Sequence, residues 1–304
     1  MDKSKALMQE INQLKKERDA IIAAHYYQKD EIQEIADIVG DSYLLAKKCA
    51  ESDKSVICFC GVDFMAESAK LLSPQKTVII PEKNAGCRMA DMITGKQLIK
   101  FKAKNPGRKV MCYINTTAEV KAESDICVTS SNAVKIAKNY EAKDFLFVPD
   151  MNLGRYIAEQ LPEKKFTMWE GYCPTHHLVT AEEIKNSKKE HPGAKIAVHP
   201  ECTKEVLELA DFTGSTQAIL DYVINSDSRE FIIGTEEGIL YQMKKQCPEK
   251  KFYLASSSLI CFNMKQIDLE KLRDSLKYLE HQVEVDEKIA EKASVCLEEM
   301  MRYG

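Results

Sequence analysis

Three cysteines, Cys87, Cys173 and Cys261, stand 86 and 88 residues apart in a chain of 304. Thiolates are soft donors suited to iron-sulfur clusters and other thiophilic metals. Zinc sites usually draw on close pairs such as C-x-x-C; Cys173 and His176 form C-P-T-H, but no second pair is close in sequence. Three thiolates from three equivalent loops suit a cubane 4Fe-4S cluster that keeps one iron free to act as a Lewis acid on a substrate oxygen. A mononuclear metal, or packing cysteines repeated by descent, are the other readings that spacing alone leaves open.

Each cysteine closes a segment carrying two further marks. A polar pair at i and i+2 follows the first apolar run: His25 and Tyr27 in AHYYQ, Tyr113 and Asn115 in CYINT, His199 and Glu201 in VHPEC. Imidazole, phenol, amide and carboxylate are the groups needed to move protons and hold oxyanions. A hydroxyl comes 16 or 17 residues after the first mark, at Ser42, Ser130 and Ser215 with Thr216. Each stands where a strand should end and a helix begin. An N-cap role accounts for any one of them, but three helix N-termini converging on one cavity would attract phosphate or carboxylate. A small, doubly anionic substrate is therefore expected.

The elements that must position these marks are legible too. Runs such as VIIP, FLFVP and FIIG have strand length and alternate with amphipathic stretches such as VDFMAESAKLL, the pattern of parallel strands joined by right-handed helical crossovers. The repeat of about 87 residues exceeds the 20 to 50 of solenoids. The expected fold is α/β: three homologous three-layer αβα domains with parallel sheets, in a pseudo-threefold arrangement around a central cavity. Their spans are 20–88, 108–174 and 194–262, with residues 1–19 and 265–304 forming covering helices. Leu269, Leu272, Leu276 and Leu279 should share one face of the latter. Ligands bind beyond the carboxyl ends of parallel strands, so all three marks of each copy should meet on one face.

Composition narrows the function classes. A net charge of -4 with 30% charged residues argues against a dedicated nucleic-acid or anionic-membrane binder. No apolar run reaches membrane-spanning length and the polar start is not a signal peptide, so a cytoplasmic protein is expected. No GxGxxG or GxxxxGK[ST] occurs, which leaves dinucleotide and ATP binding unsupported. Cys49, Cys58, Cys60, Cys112, Cys127 and Cys296 lie in apolar or helical runs and read as packing residues. Cys202, next to the third polar pair, is expected to border the site.

The motifs AHYYQ, GDSYLLAKK, GVDFMAESAKLL, YINTTAEVKAESDICVTSSNA, PDMNLG, GYCPTHH, VHPEC, GST and CFNMK, taken in order, resemble bacterial and archaeal quinolinate synthase over essentially the whole chain. The resemblance implies three related α/β domains around a 4Fe-4S cluster held by Cys87, Cys173 and Cys261. It also implies condensation of iminoaspartate with dihydroxyacetone phosphate to quinolinate, phosphate and water, for de novo NAD synthesis. Carried over by position, it assigns substrate contact to His25, Ser42, Tyr113, Ile114, Asn115, Ser130, His199, Pro200, Glu201, Ser215 and Thr216, with Tyr27, Met65 and His176 near the cavity. Tyr27, Tyr113, His199 and Glu201 form the expected catalytic set. Glu201 with His199 would shuttle protons, while Tyr27, Tyr113 and Asn115 orient the carbonyl. An aspartate oxidase or dehydrogenase would supply the unstable imine. Another cluster-dependent hydro-lyase or a cluster-based sensor are the rival classes. Phe262 departs from the family pattern, where proline is expected after the third cysteine. Some relatives carry a C-terminal cysteine cluster able to form a redox-sensitive disulfide; Cys296 stands alone there, so the resemblance does not extend to that device.

Overall fold

The computed structural model describes residues 3–304; the first two residues of the expected N-terminal covering helix lie outside them. The twelve strands are β1 (Ala20–His25), β2 (Ile38–Gly40), β3 (Val56–Cys60), β4 (Thr77–Ile79), β5 (Lys109–Tyr113), β6 (Ile126–Val128), β7 (Asp144–Val148), β8 (Lys165–Met168), β9 (Lys195–Val198), β10 (Phe212–Thr213), β11 (Glu230–Gly234) and β12 (Lys251–Leu254). They form three four-stranded parallel sheets with the orders β2-β1-β3-β4, β6-β5-β7-β8 and β10-β9-β11-β12. One topology therefore occurs three times. Helices flank each sheet, and the central strands read as unbroken apolar runs such as VICFC and FLFV because both faces are covered.

A repeated carboxylate locks the sheet edge. Asp37, Asp125 and Asp211 each precede the second strand of their sheet and accept from the backbone N–H of Ile22, Val110 and Ile196 at 2.9, 2.7 and 2.9 Å. Their other oxygens take Lys15, Lys109 and Lys195 at 2.6 to 2.8 Å. Because a slip of one residue would turn every side chain of a strand to the wrong face, this bond reinforces the register that the apolar pattern sets.

The links between domains begin at the cysteines. Seven residues after each one stands a helix cap: Thr94, Thr180 and Asp268 accept from the third backbone N–H of Gly95–Lys104, Ala181–Glu190 and Leu269–Tyr278. Thr94 with Gln97 and Thr180 with Glu183 complete capping boxes. The cysteine loop is thus pinned at its exit by a cap worth about 1 kcal/mol.

Terminal helices cover two of the domains. Lys3–Glu17 and Leu269–Tyr278 pack together on the first sheet, burying Ile11, Leu269, Leu272 and Leu276 against Ile22 and Cys58. Leu279, partly buried against the same cluster, ends its helix in the left-handed region at φ 52°. Glu287–Tyr303 lies on the second domain with Ala293, Cys296, Leu297 and Met300 wholly buried. The first and third domains approach closely at Gly238, where an added Cβ would stand 2.6 Å from the Tyr26 carbonyl. Gln33 ties the same seam, its Nε2 donating to the carbonyls of Tyr26, Gln28 and Gly238. Among the described residues no helix is long and apolar enough to cross a membrane.

Candidate active site

A cavity of about 280 Å³ opens at the carboxyl ends of all three sheets, and every domain contributes to its lining. Cys87, Cys173 and Cys261 line it together. So do His25, Tyr27, Ser42, Met65, Tyr113, Asn115, Ser130, His176, His199, Glu201 and Thr216. Ile114, Pro200 and Ser215 do not. Ile114 turns into the apolar core and its N–H bonds the Val128 carbonyl at 2.8 Å. Ser215 spends its hydroxyl capping Thr216–Asn225, and Pro200 is buried beside the lining residues His199 and Glu201. Cys202 is also absent from the lining, its thiol packed toward the Gly234 carbonyl at 3.6 Å.

The helix starts differ from expectation at two hydroxyls. Asp41, not Ser42, caps Ser42–Glu51 by accepting from the Leu44 N–H. Ser42 takes the first helical position, as Thr216 does in its helix. Ser130 lies ahead of the helix Ala133–Asn139, whose cap position is Asn132; its hydroxyl meets His199 Nε2 at 3.2 Å. Ser42 and Thr216 therefore stand in the first turn of ten-residue helices, among N–H groups that no carbonyl of the helix can satisfy.

The i, i+2 polar pairs make a local device. The Tyr27 N–H donates to His25 Nδ1 at 3.1 Å, and the Glu201 N–H donates to His199 Nδ1 at 3.3 Å. An Nδ1 that accepts leaves the proton of a neutral ring on Nε2. Burial, the largest cause, lowers both histidines to about 3. Both rings are thus neutral Nε2–H donors near pH 7.

Glu201 is the hub. Its carboxylate accepts from the Tyr113 hydroxyl at 2.7 Å and lies 2.7 Å from His176 Nδ1. His176 Nε2 meets Thr235 Oγ1 at 2.9 Å, Thr235 meets the Tyr27 hydroxyl at 2.7 Å, and Tyr27 reaches Thr216 at 2.8 Å. The chain of bonds runs through all three domains. Burial works against the Glu201 charge, but His199, His176 and the Tyr113 hydroxyl outweigh it and hold the carboxyl below its ordinary range. Burial, then the Glu201 charge, pushes both tyrosines up, so each phenol keeps its proton. Asn115 Oδ1 is buried without a partner, a cost of about 1–3 kcal/mol that a donor on a bound molecule would remove.

The three cysteines fit a metal cluster. Cys87 takes backbone hydrogen bonds from Ala90 and Met89, Cys173 from His176, and Cys261 from Met264 and Asn263. N–H groups two or three residues on are thus aimed at each sulfur, an arrangement that favours thiolate and tunes cluster potential. Burial raises all three thiols, and the charges of the others raise Cys87 and Cys173 further. Three thiolates in this cavity need cationic company.

Two buried carboxylates lie behind the cysteines; the sequence marks Asp150 as a residue that caps or shapes a loop after its strand, but not Glu236. Asp150 accepts from the Cys173 N–H at 3.1 Å while capping Met151–Gln160. Glu236 accepts from the Cys261 N–H at 3.1 Å. In the first domain Asp63 has the corresponding place after β3, but its carboxylate turns to the Phe64 N–H, and burial raises it to about 6. The signal was available: these residues precede their cysteines by 23 to 25 positions.

Comparison with known proteins decides among the chemistries this cavity allows. A family model described as quinolinate synthetase A protein matches residues 9–302. The chain belongs to the quinolinate synthase family. A quinolinate synthase of Clostridium kluyveri is 54% identical over 295 residues, covering 97% of each chain. Those of Caldicellulosiruptor bescii and Clostridium perfringens are 51% identical over 298 residues and 52% over 295, with 97% or more of each chain covered. A quinolinate synthase works on small molecules, in keeping with a cavity of this size that joins apolar walls to a few converging polar groups.

Proposed function

We propose that this protein condenses iminoaspartate with dihydroxyacetone phosphate to give quinolinate, phosphate and water, for NAD biosynthesis, using a 4Fe-4S cluster held by Cys87, Cys173 and Cys261. The observation that carries the reading is the cavity itself. Three sulfurs with backbone N–H donors share it with an unbroken chain of bonds from Tyr113 through Glu201 and His176 to Tyr27 and Thr216. When bound, such a cluster leaves one iron without a protein ligand and supplies Lewis acidity for loss of a hydroxyl.

The residues supply the rest. Substrate phosphate and carboxylates are received at the first helical turns of Ser42 and Thr216, whose free N–H groups favour anions. His25 and His199 offer Nε2–H to carbonyl oxygens. Glu201, ionised, takes a carbon- or nitrogen-bound proton in the imine and isomerisation steps. His176 and Tyr113 then share the charge change along the chain. Asn115 orients a donor group of the substrate. Condensation releases one phosphate and two waters, so the site takes in two dianions and lets out three kinds of product.

The test is anaerobic purification followed by a quinolinate assay with both substrates. A brown protein that makes quinolinate supports the proposal. A brown protein without product sinks the condensation, and a colourless protein with full activity sinks the cluster.

A further inference from the structure

The substrates of the proposed reaction bring several negative charges into a cavity that already holds the Glu201 carboxylate and three cysteines. Helix N-termini answer part of that charge, yet their effect fades within a turn. Arg88 is the only lysine or arginine lining the cavity among the described residues. It follows Cys87 directly and is exposed, while its neighbours Met89 and Ala90 are each 1% exposed. The backbone beneath it is held by the Asp91 N–H on the Cys87 carbonyl at 3.0 Å. The guanidinium itself has no hydrogen-bond or ion-pair partner among the described residues. The other cation near the cavity is neutralised, since Lys265 lies 3.0 Å from Glu236 and donates to the Tyr27 carbonyl.

An unpaired guanidinium on a pinned backbone at the cavity wall is placed to receive an oxyanion. Its planar fork binds carboxylate or phosphate through two parallel bonds. The exposed apolar side chains Leu178 and Phe262, 62% and 74% exposed, line the same cavity. We infer that Arg88 is a substrate-capture residue: it draws the anionic substrate into the cavity and holds one of its oxyanions. The inference rests on the reading given under Proposed function, and either a phosphate ester or a dicarboxylate would satisfy it.

The test uses the cluster-loaded protein and the variants Arg88→Ala and Arg88→Lys. Calorimetric titration with inorganic phosphate, dihydroxyacetone phosphate and quinolinate separates the two oxyanion sources. R88A should weaken the ligand that Arg88 holds by about ten- to a hundredfold, the range expected for a charge-assisted bond, and R88K should recover part of it. In turnover the loss should fall on KM of one substrate more than on kcat. The fall of kcat/KM with rising salt should be shallower in R88A than in the parent. Equal affinity of R88A and parent for all three ligands overturns the inference. Loss of cluster absorbance in both variants also overturns it, because Arg88 would then be holding the Cys87 loop. Parent protein that makes no quinolinate defeats the functional reading alone, and the calorimetry still decides Arg88.

Discussion

The molecule contains two trios of cysteines, and the proposed function places the chemistry at the looser one. Cys112, Cys127 and Cys296 have sulfurs within 4.8 Å of one another, with Cys112 and Cys296 at 3.5 Å. All three are 0% exposed, within the apolar cluster that also holds Ile126, Val128 and Leu297. The sulfurs of Cys87, Cys173 and Cys261 are not all within 4.8 Å of one another, but they line an open cavity and receive backbone N–H groups. In the buried trio, sulfur partners include the other thiols. On the proposed assignment, proximity of thiols is a poor guide to a cluster site. Directed donors and access for substrate distinguish the two.

The comparison breaks most sharply by substitution. Changing Cys87, Cys173 or Cys261 to serine should abolish quinolinate formation and most bound iron, whereas Cys112→Ser, Cys127→Ser or Cys296→Ser should leave iron per chain near the parent value. Iron and sulfide analysis after anaerobic reconstitution reads this directly; equal iron loss from both trios would erase the distinction. Next in size is Glu201→Gln, which keeps the hydrogen-bonding shape but removes the charge. Activity should drop by about a hundredfold or more with the cluster absorbance intact, and a simultaneous loss of cluster would make Glu201 a structural residue.

Acid should expose a further difference, because the cavity trio is surrounded by buried histidines. His25 and His199 are lowered to about 3, mainly by burial, while in the unfolded chain they titrate near 6.5. Between those values the unfolded state binds more protons, so stability is full above about pH 6.5 and falls as pH drops toward 3. The slope reaches about 1.4 kcal/mol per pH unit for each ring. Melting temperatures measured from pH 7.5 to 5 should decline, and more gently in His25→Gln; a flat profile would show that neither ring stays neutral. Smallest is Cys296→Ala. Removing a wholly buried sulfur should cost about 1–2 kcal/mol, seen in denaturant melts, with activity at 25 °C nearly unchanged.

Much of the site was legible because the fold is written three times. Cys87, Cys173 and Cys261, the polar pairs and the hydroxyl marks recur in register, and a parallel sheet brings its carboxyl-end loops to one face. What escaped was local. Asp41 rather than Ser42 caps its helix because the chain is still extended at Asp41, at φ -80° and ψ 176°. Ser130 misses the cap because the turn continues to Asn132, whose side chain bonds the Thr129 N–H at 2.7 Å. Ile114 and Pro200 share motifs with lining residues yet do not line the cavity themselves. Asp150 and Glu236 act on cysteines more than twenty positions away, through backbone groups that sequence periodicity does not register.

The sequence by itself determined the number of domains, their common topology and the three loops that carry sulfur, because apolar periodicity and repeated marks are local properties that survive triplication. It could not say that Cys296, solitary in its own stretch, would lie 3.5 Å from Cys112, nor that Glu201 of one domain would join Tyr113 of another and His176 of the segment between them. Those meetings depend on how the domains and the C-terminal helix pack. Packing is set by surfaces assembled from residues far apart in the chain, and only the tertiary structure decides which of them touch.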